Sequence, residues 1–208
     1  MSALANRRSV MMLYSEPTNA ISHCVRIVLA EKDINVEIKY IDGDDIPEEI
    51  SDLNPYNSVL TLIDRDLVLY DAQIMMEYLD ERFPHPPLMP VDPVHRALNR
   101  QLRYRIVNDL YSLIDELESG DNKRVTAAGK ALRDNLTAIA PALGQQEFFM
   151  SEEFSLVDCC LVPLLWRLDS YGIKLPAQAK PLQKYAEALF ARGALQACLS
   201  PEEREMRS

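Results

Sequence analysis

The chain has 208 residues, enough for one large domain or two small ones. Its 48% hydrophobic and 26% charged content is ordinary for a soluble globular protein, and no apolar run reaches membrane-spanning length. A net charge of −10, with no Lys/Arg cluster longer than two, argues against direct DNA binding and for action through protein contacts.

Met1 to Ser9 carries Arg7 and Arg8 but no apolar core, so no signal peptide is read and a cytoplasmic location is expected. The four cysteines, Cys24, Cys159, Cys160 and Cys198, have the spacing of neither a zinc site nor a redox pair, so reduced, packed thiols are expected, with no metal and no cofactor.

Val10 to Tyr14 reads as a first strand and Ser15 to Asn19 as a loop. Ser22 is placed to cap a helix carrying Val25, Val28 and Leu29 on one face. Val36 to Tyr40 alternates apolar and charged residues, a strand with one buried face. Gly43-Asp44-Asp45 breaks it, and Pro47-Glu48-Glu49 suits the opening turn of a short helix. Thr61 to Asp64 and Leu67 to Tyr70 form a hairpin across Asp64-Arg65-Asp66. Asp71 caps a helix with Ile74, Met75, Tyr78 and Leu79 at helical spacing, and Phe83-Pro84-His85-Pro86-Pro87 ends it.

Leu88 to Pro93 reads as a linker, and strand signals stop there. Leu98, Leu102, Ile106, Leu110, Leu113 and Leu117 make one long helix stripe. Gly120-Asp121-Asn122 turns into a second stripe at Val125, Ala128, Leu132, Leu136 and Ile139. Ser155 to Asp158 is a capping box with Phe154 as a staple. It opens a helix apolar almost all round, Leu156 to Leu168, which belongs in a core and carries Pro163 inside it. Leu182, Tyr185, Ala186, Leu189 and Phe190 mark a further helix, and Pro201 to Ser208 reads as a charged, partly mobile tail.

The order of the first half resembles the N-terminal domain of the glutathione S-transferase superfamily. Within it, the block YLDERFPHPPLMP at 78–90 resembles the stringent starvation proteins, which bind RNA polymerase. Shorter blocks spread the likeness along the chain: LYS at 13–15, VRIVLAEK at 25–32, DLNP at 52–55, FSLVDC at 154–159, PLLWRL at 163–168 and EREMR at 203–207. The resemblance implies α/β plus all-α architecture: a thioredoxin-like N-terminal domain at 9–87 and an all-helical C-terminal domain at 93–200. It implies as partners RNA polymerase holoenzyme with its primary sigma factor, and a homodimer or a heterodimer with a paralogue.

A glutathione transferase needs a hydroxyl or thiol after the first strand, a backbone held by a cis-proline, and an acid with a serine at the third helix. The usual catalytic position falls at Asn19 or Ala20, and Tyr14 reads as a packed strand residue. The proline position is Leu60, and a cis bond from Val59 to a non-proline costs about 2.5–4 kcal/mol, so a trans bond is expected. At the third helix Asp71 can replace the acid, but Ala72 has no hydroxyl. Val59, Leu60, Asp71 and Ala72 therefore read as a vestigial glutathione site, no residue is assigned a catalytic role, and the chain is not expected to be an enzyme. A glutathione-dependent transferase or thiol reductase is the alternative. Pro84, His85, Pro86 and Pro87 are the expected protein-binding residues, because prolines stiffen the loop before it meets a partner. His23 and Cys24 read as packing, Trp166 as core and His95 as surface.

Overall fold

β1 (Met11–Ser15) is buried along its whole length, as its continuous apolar character requires. A computed structural model describes residues 10–42, 46–56 and 58–207; Met1 to Ser9 and the break expected at Gly43-Asp44-Asp45 lie outside the described residues. α1 (Ala20–Glu31) carries the chain to β2 (Val36–Tyr40), which pairs parallel to β1. α2 (Glu48–Leu53) leads to β3 (Thr61–Asp64), antiparallel to β1, and β4 (Leu67–Leu69) returns along β3. The sheet order is β2-β1-β3-β4. Asp64 pairs with Leu67, so Arg65-Asp66 is a two-residue turn, with Arg65 at φ 59°. α3 (Ala72–Arg82) packs against α1.

Strand alternation divides the core. Met12 and Tyr14 join Ile50 of α2 and Val59 in one cluster, while Leu13, pointing to the other face, is fully buried, as are Val25, Val28, Met75 and Leu79. The cap of α1 is Asn19 rather than Ser22: its Oδ1 accepts from the Ser22 backbone N–H at 2.9 Å. Asn is as good a cap as Ser, and Asn19 stands at the distance from which a short side chain reaches that donor.

The chain forms two units: described residues up to Pro86 with Ala197–Arg204, and Pro87–Gln196 with the residues from Glu205 on. In the second, α4 (Pro93–Asp109) is capped by Asp92, with proline in its first turn. The long stripe expected from Leu98 to Leu117 is interrupted after Leu110 by a 3₁₀ turn, Tyr111–Leu113, before α5 (Ile114–Leu117). Side chains there compete for helix carbonyls: Asn108 Nδ2 donates to Tyr104 O at 2.8 Å and Ser112 Oγ to Asn108 O at 2.6 Å. The turn brings the Tyr111 hydroxyl to Cys160 O at 2.8 Å.

α6 (Asn122–Ile139) is capped by Asp121. α7 (Leu156–Arg167) has the expected capping box, and every residue of it is buried. Asp158 accepts from Ser155 N at 2.8 Å, Phe149 N at 3.0 Å and the Tyr185 hydroxyl at 2.6 Å. Burial holds its carboxyl above the usual carboxylate range, against the pull of those bonds. α8 (Lys180–Phe190), α9 (Gly193–Cys198) and α10 (Pro201–Glu205) complete the chain. All four cysteines are free and buried.

The tail departs from the sequence reading, which runs the helical domain from 93 to 200 and leaves Pro201 to Ser208 partly mobile. Ala197–Arg204 belongs to the first unit, and Glu203 is fully buried. Glu203 Oε1 accepts from Arg26 Nη2 at 2.6 Å and lies 3.3 Å from His23 Nδ1. Glu203 and Ser200 also exchange a reciprocal pair of bonds, each 3.0 Å, and Ser200 Oγ donates to Pro17 O at 2.8 Å. A buried guanidinium demands an anion, and Glu203 supplies it across 177 residues of chain.

Glu203→Gln keeps the side-chain shape and its bonds to Ser200 but leaves Arg26 as an uncompensated buried charge. It is expected to lower unfolding stability by about 3–5 kcal/mol, read from urea unfolding monitored by circular dichroism; an unchanged midpoint and slope would show that the tail is not fastened this way.

Candidate functional site: an anchored proline loop

α3 ends at Phe83, whose N–H closes on Leu79 O, and the chain then enters the proline run. Pro84, His85, Pro86 and Pro87 are all exposed, Phe83 is half-buried, and Leu88 and Met89 are buried. The described cis peptide bond is His85–Pro86. On its inner side the loop is held by Lys32, at the C-cap of α1: its ammonium donates to Phe83 O at 2.6 Å and Pro86 O at 2.8 Å, and lies 2.8 Å from Asp80 Oδ1. The Arg82 guanidinium lies over the Phe83 ring, 5.5 Å from its centroid. Beside them the Tyr78 hydroxyl donates to Asp64 Oδ2 at 2.6 Å; burial first, then that bond, raises the phenol above its ordinary range.

The four residues read as the glutathione-site remnant lie as follows. Val59 and Leu60 are buried, and the bond between them is trans. The loop ahead of them is organised by Asn54, whose Nδ2 is 2.9 Å from both Ser58 O and Ser58 Oγ, and whose Oδ1 accepts from Tyr56 N at 2.9 Å. Asp71 is exposed and caps α3, its Oδ1 accepting from Gln73 N at 2.9 Å and Ile74 N at 3.0 Å. Ala72 is buried. After β1, Ser15 Oγ is turned to Glu16 O at 3.1 Å, Tyr14 is buried, and Asn19 is engaged as the helix cap. Of Tyr14, Ser15, Asn19, Val59, Leu60, Asp71 and Ala72, none presents an exposed hydroxyl or thiol.

His23 and Cys24 are buried, in keeping with packing roles, and His23 Nε2 lies 3.5 Å from Cys198 Sγ. Burial pushes the Cys198 thiol up to about 12, away from the range of a reactive thiolate. Trp166 is core and His95 is exposed, bonded to Asp92. Among the described residues no group of three or more His, Cys, Asp and Glu side chains is placed to hold a metal ion, and no helix is long and apolar enough to cross a membrane. Sequence reasoning missed Lys32 and Asn54. The Asn54-Pro55 pair is a turn signal that could have flagged the second; Lys32 reads as an ordinary cation at a helix end.

The sequence matches the glutathione S-transferase N-terminal domain over residues 13–87 and the glutathione S-transferase C-terminal domain over residues 97–193. A stringent starvation protein A homolog of Coxiella burnetii is 45% identical over 202 residues, covering 97% of this chain and 97% of that one. One of Pasteurella multocida is 48% identical over 193 residues, covering 92% and 91%. The chain belongs to the stringent starvation protein A family. The fold of this family member is that of the glutathione S-transferases. A theta class enzyme from Xanthomonas axonopodis pv. citri with glutathione bound superposes with a TM-score of 0.82 at 22% identity, over 91% of this chain and 97% of that one.

Proposed function

We propose that this stringent starvation protein A family member associates with RNA polymerase holoenzyme, including its primary sigma factor, and regulates transcription in starvation or stress. It acts by protein contact, without transferase activity. The observation that carries the reading is the exposed run Pro84-His85-Pro86-Pro87, held from within by a buried lysine. A preset loop binds with little ordering cost. The net charge of −10 favours a protein partner over a phosphate backbone, so neither direct DNA binding nor membrane association is part of the reading.

The absence of transferase activity is supported by four features together. The Val59–Leu60 bond is trans, Ala72 has no hydroxyl, Asp71 is committed to the α3 cap, and Asn19 and Ala20 stand where the thiolate-stabilising group belongs. One lost bond to a charged ligand group weakens binding by about 1.5–3 kcal/mol. Assembly into a two-fold pair, with itself or a paralogue, is supported by large apolar side chains left open on two helices: Ile74 of α3, and Val94 and Tyr104 of α4, are 57%, 73% and 68% exposed.

Three measurements test the reading. Replacing Pro84, His85 and Pro86 together by alanine is expected to abolish capture of polymerase while shifting stability by no more than about 1 kcal/mol; retained capture with a normal thermal melt would show that the loop is only a linker. The unmodified protein is expected neither to bind a glutathione column nor to turn over a standard aromatic acceptor, and measurable turnover overturns that part. Sedimentation at micromolar concentration is expected to give a dimer, which Val94→Asp with Tyr104→Asp dissociates; a monomer in the unmodified protein rejects the pair.

A further inference from the structure

We infer that Lys32 is the positioning residue of the proline loop, fixing the direction in which Pro84 and His85 project. An ammonium has three N–H donors and no acceptor. The Lys32 side chain is fully buried and has three oxygens within reach: Asp80 Oδ1 at 2.8 Å, Phe83 O at 2.6 Å and Pro86 O at 2.8 Å. Donors and acceptors match one to one. The two carbonyls bracket Pro84-His85, so one nitrogen ties both ends of the projecting segment to the end of α1.

The loop cannot fasten itself. Prolines at 84, 86 and 87 carry no N–H, which leaves His85 the only backbone donor between Phe83 and Leu88. Proline fixes its own φ and restricts the residue before it, but the direction in which the segment projects from the fold is set by what its carbonyls meet. Asp80, on the last turn of α3, balances the charge. Lys32 has no surface of its own to offer a partner, so its effect on any binding passes through the loop. That last step rests on the reading of the loop as the docking face.

The test uses the full chain and two variants. Lys32→Met with Asp80→Asn removes both charges and leaves no ion buried alone. Lys32→Arg keeps the charge beside Asp80 but spreads its donors over a planar fork that cannot converge on three oxygens from one point. The readout is NMR of the imidazole side chains, taken beside a thermal melt and a polymerase pull-down. In whichever variant melts in a single transition, the His85 ring is expected to shift and gain motion while His23 and His95 stay as in the unmodified protein, and polymerase capture is expected to fall about tenfold or more. An unchanged His85 ring in a folded variant overturns the inference. A loosened His85 with full polymerase capture upholds the role of Lys32 and rejects the loop as the docking face.

Discussion

A cation taken out of water must find its acceptors inside the protein, and that requirement organises the first unit around α1. Arg26 in the helix and Lys32 at its C-cap are both buried. Each would be prohibitively costly unpaired. Arg26 draws in Glu203, and with it the segment from Ala197 to Arg204. Lys32 draws in Asp80 and the carbonyls of Phe83 and Pro86. One helix thereby sets the course of the chain at two distant points, the exit from α3 and the C-terminal tail.

Stability alone does not account for these pairs. A buried ion pair commonly does no better than well-packed apolar residues of the same volume, although removing one partner is costly. Leucine at Lys32 could fill the space; it could not direct two carbonyls. The second unit buries an acid instead. Asp158 is buried at the head of α7, and burial raises its carboxyl against the bonds from Ser155, Phe149 and Tyr185. There the polar group terminates a helix inside a core, whereas on α1 the polar groups reach to chain that would otherwise be free.

What was legible in the sequence was local. The hairpin, the Asp71 cap, the capping box at Ser155 and the apolar stripe of α6 rest on residues within a few positions of one another, and each stands where its pattern puts it. Errors arose where two residues satisfied the same local rule, as with Asn19 and Ser22, or where side chains competed for helix carbonyls, as around Asn108 and Ser112. The candidate site divided in the same way. The exposure of Pro84 to Pro87 agrees with their reading, from the family resemblance, as a binding loop, and the trans bond before Leu60 followed from the cost of the alternative. The fastening of the loop did not, because Lys32 and Pro86 are 54 residues apart, and Arg26 and Glu203 are 177 apart. No periodicity carries information over such distances; a charged tail reads as solvated until its buried partner is seen.

The loop therefore has two independent sources of stiffness, and they act on different quantities. The prolines restrict φ in every state of the chain, so they lower the entropy that folding must remove. The ammonium acts only in the folded state, where it chooses one orientation among those the prolines allow. Prolines without the lysine would give a stiff segment of uncertain direction; the lysine without prolines would hold two carbonyls and leave the residues between them to wander. Together they produce a small exposed surface of fixed shape on a scaffold whose glutathione-type positions are occupied by caps and buried apolar side chains. The fold and the surface are thus separable: the sheet and helices would survive a different loop, but the loop has its shape only where α1 ends in a buried lysine.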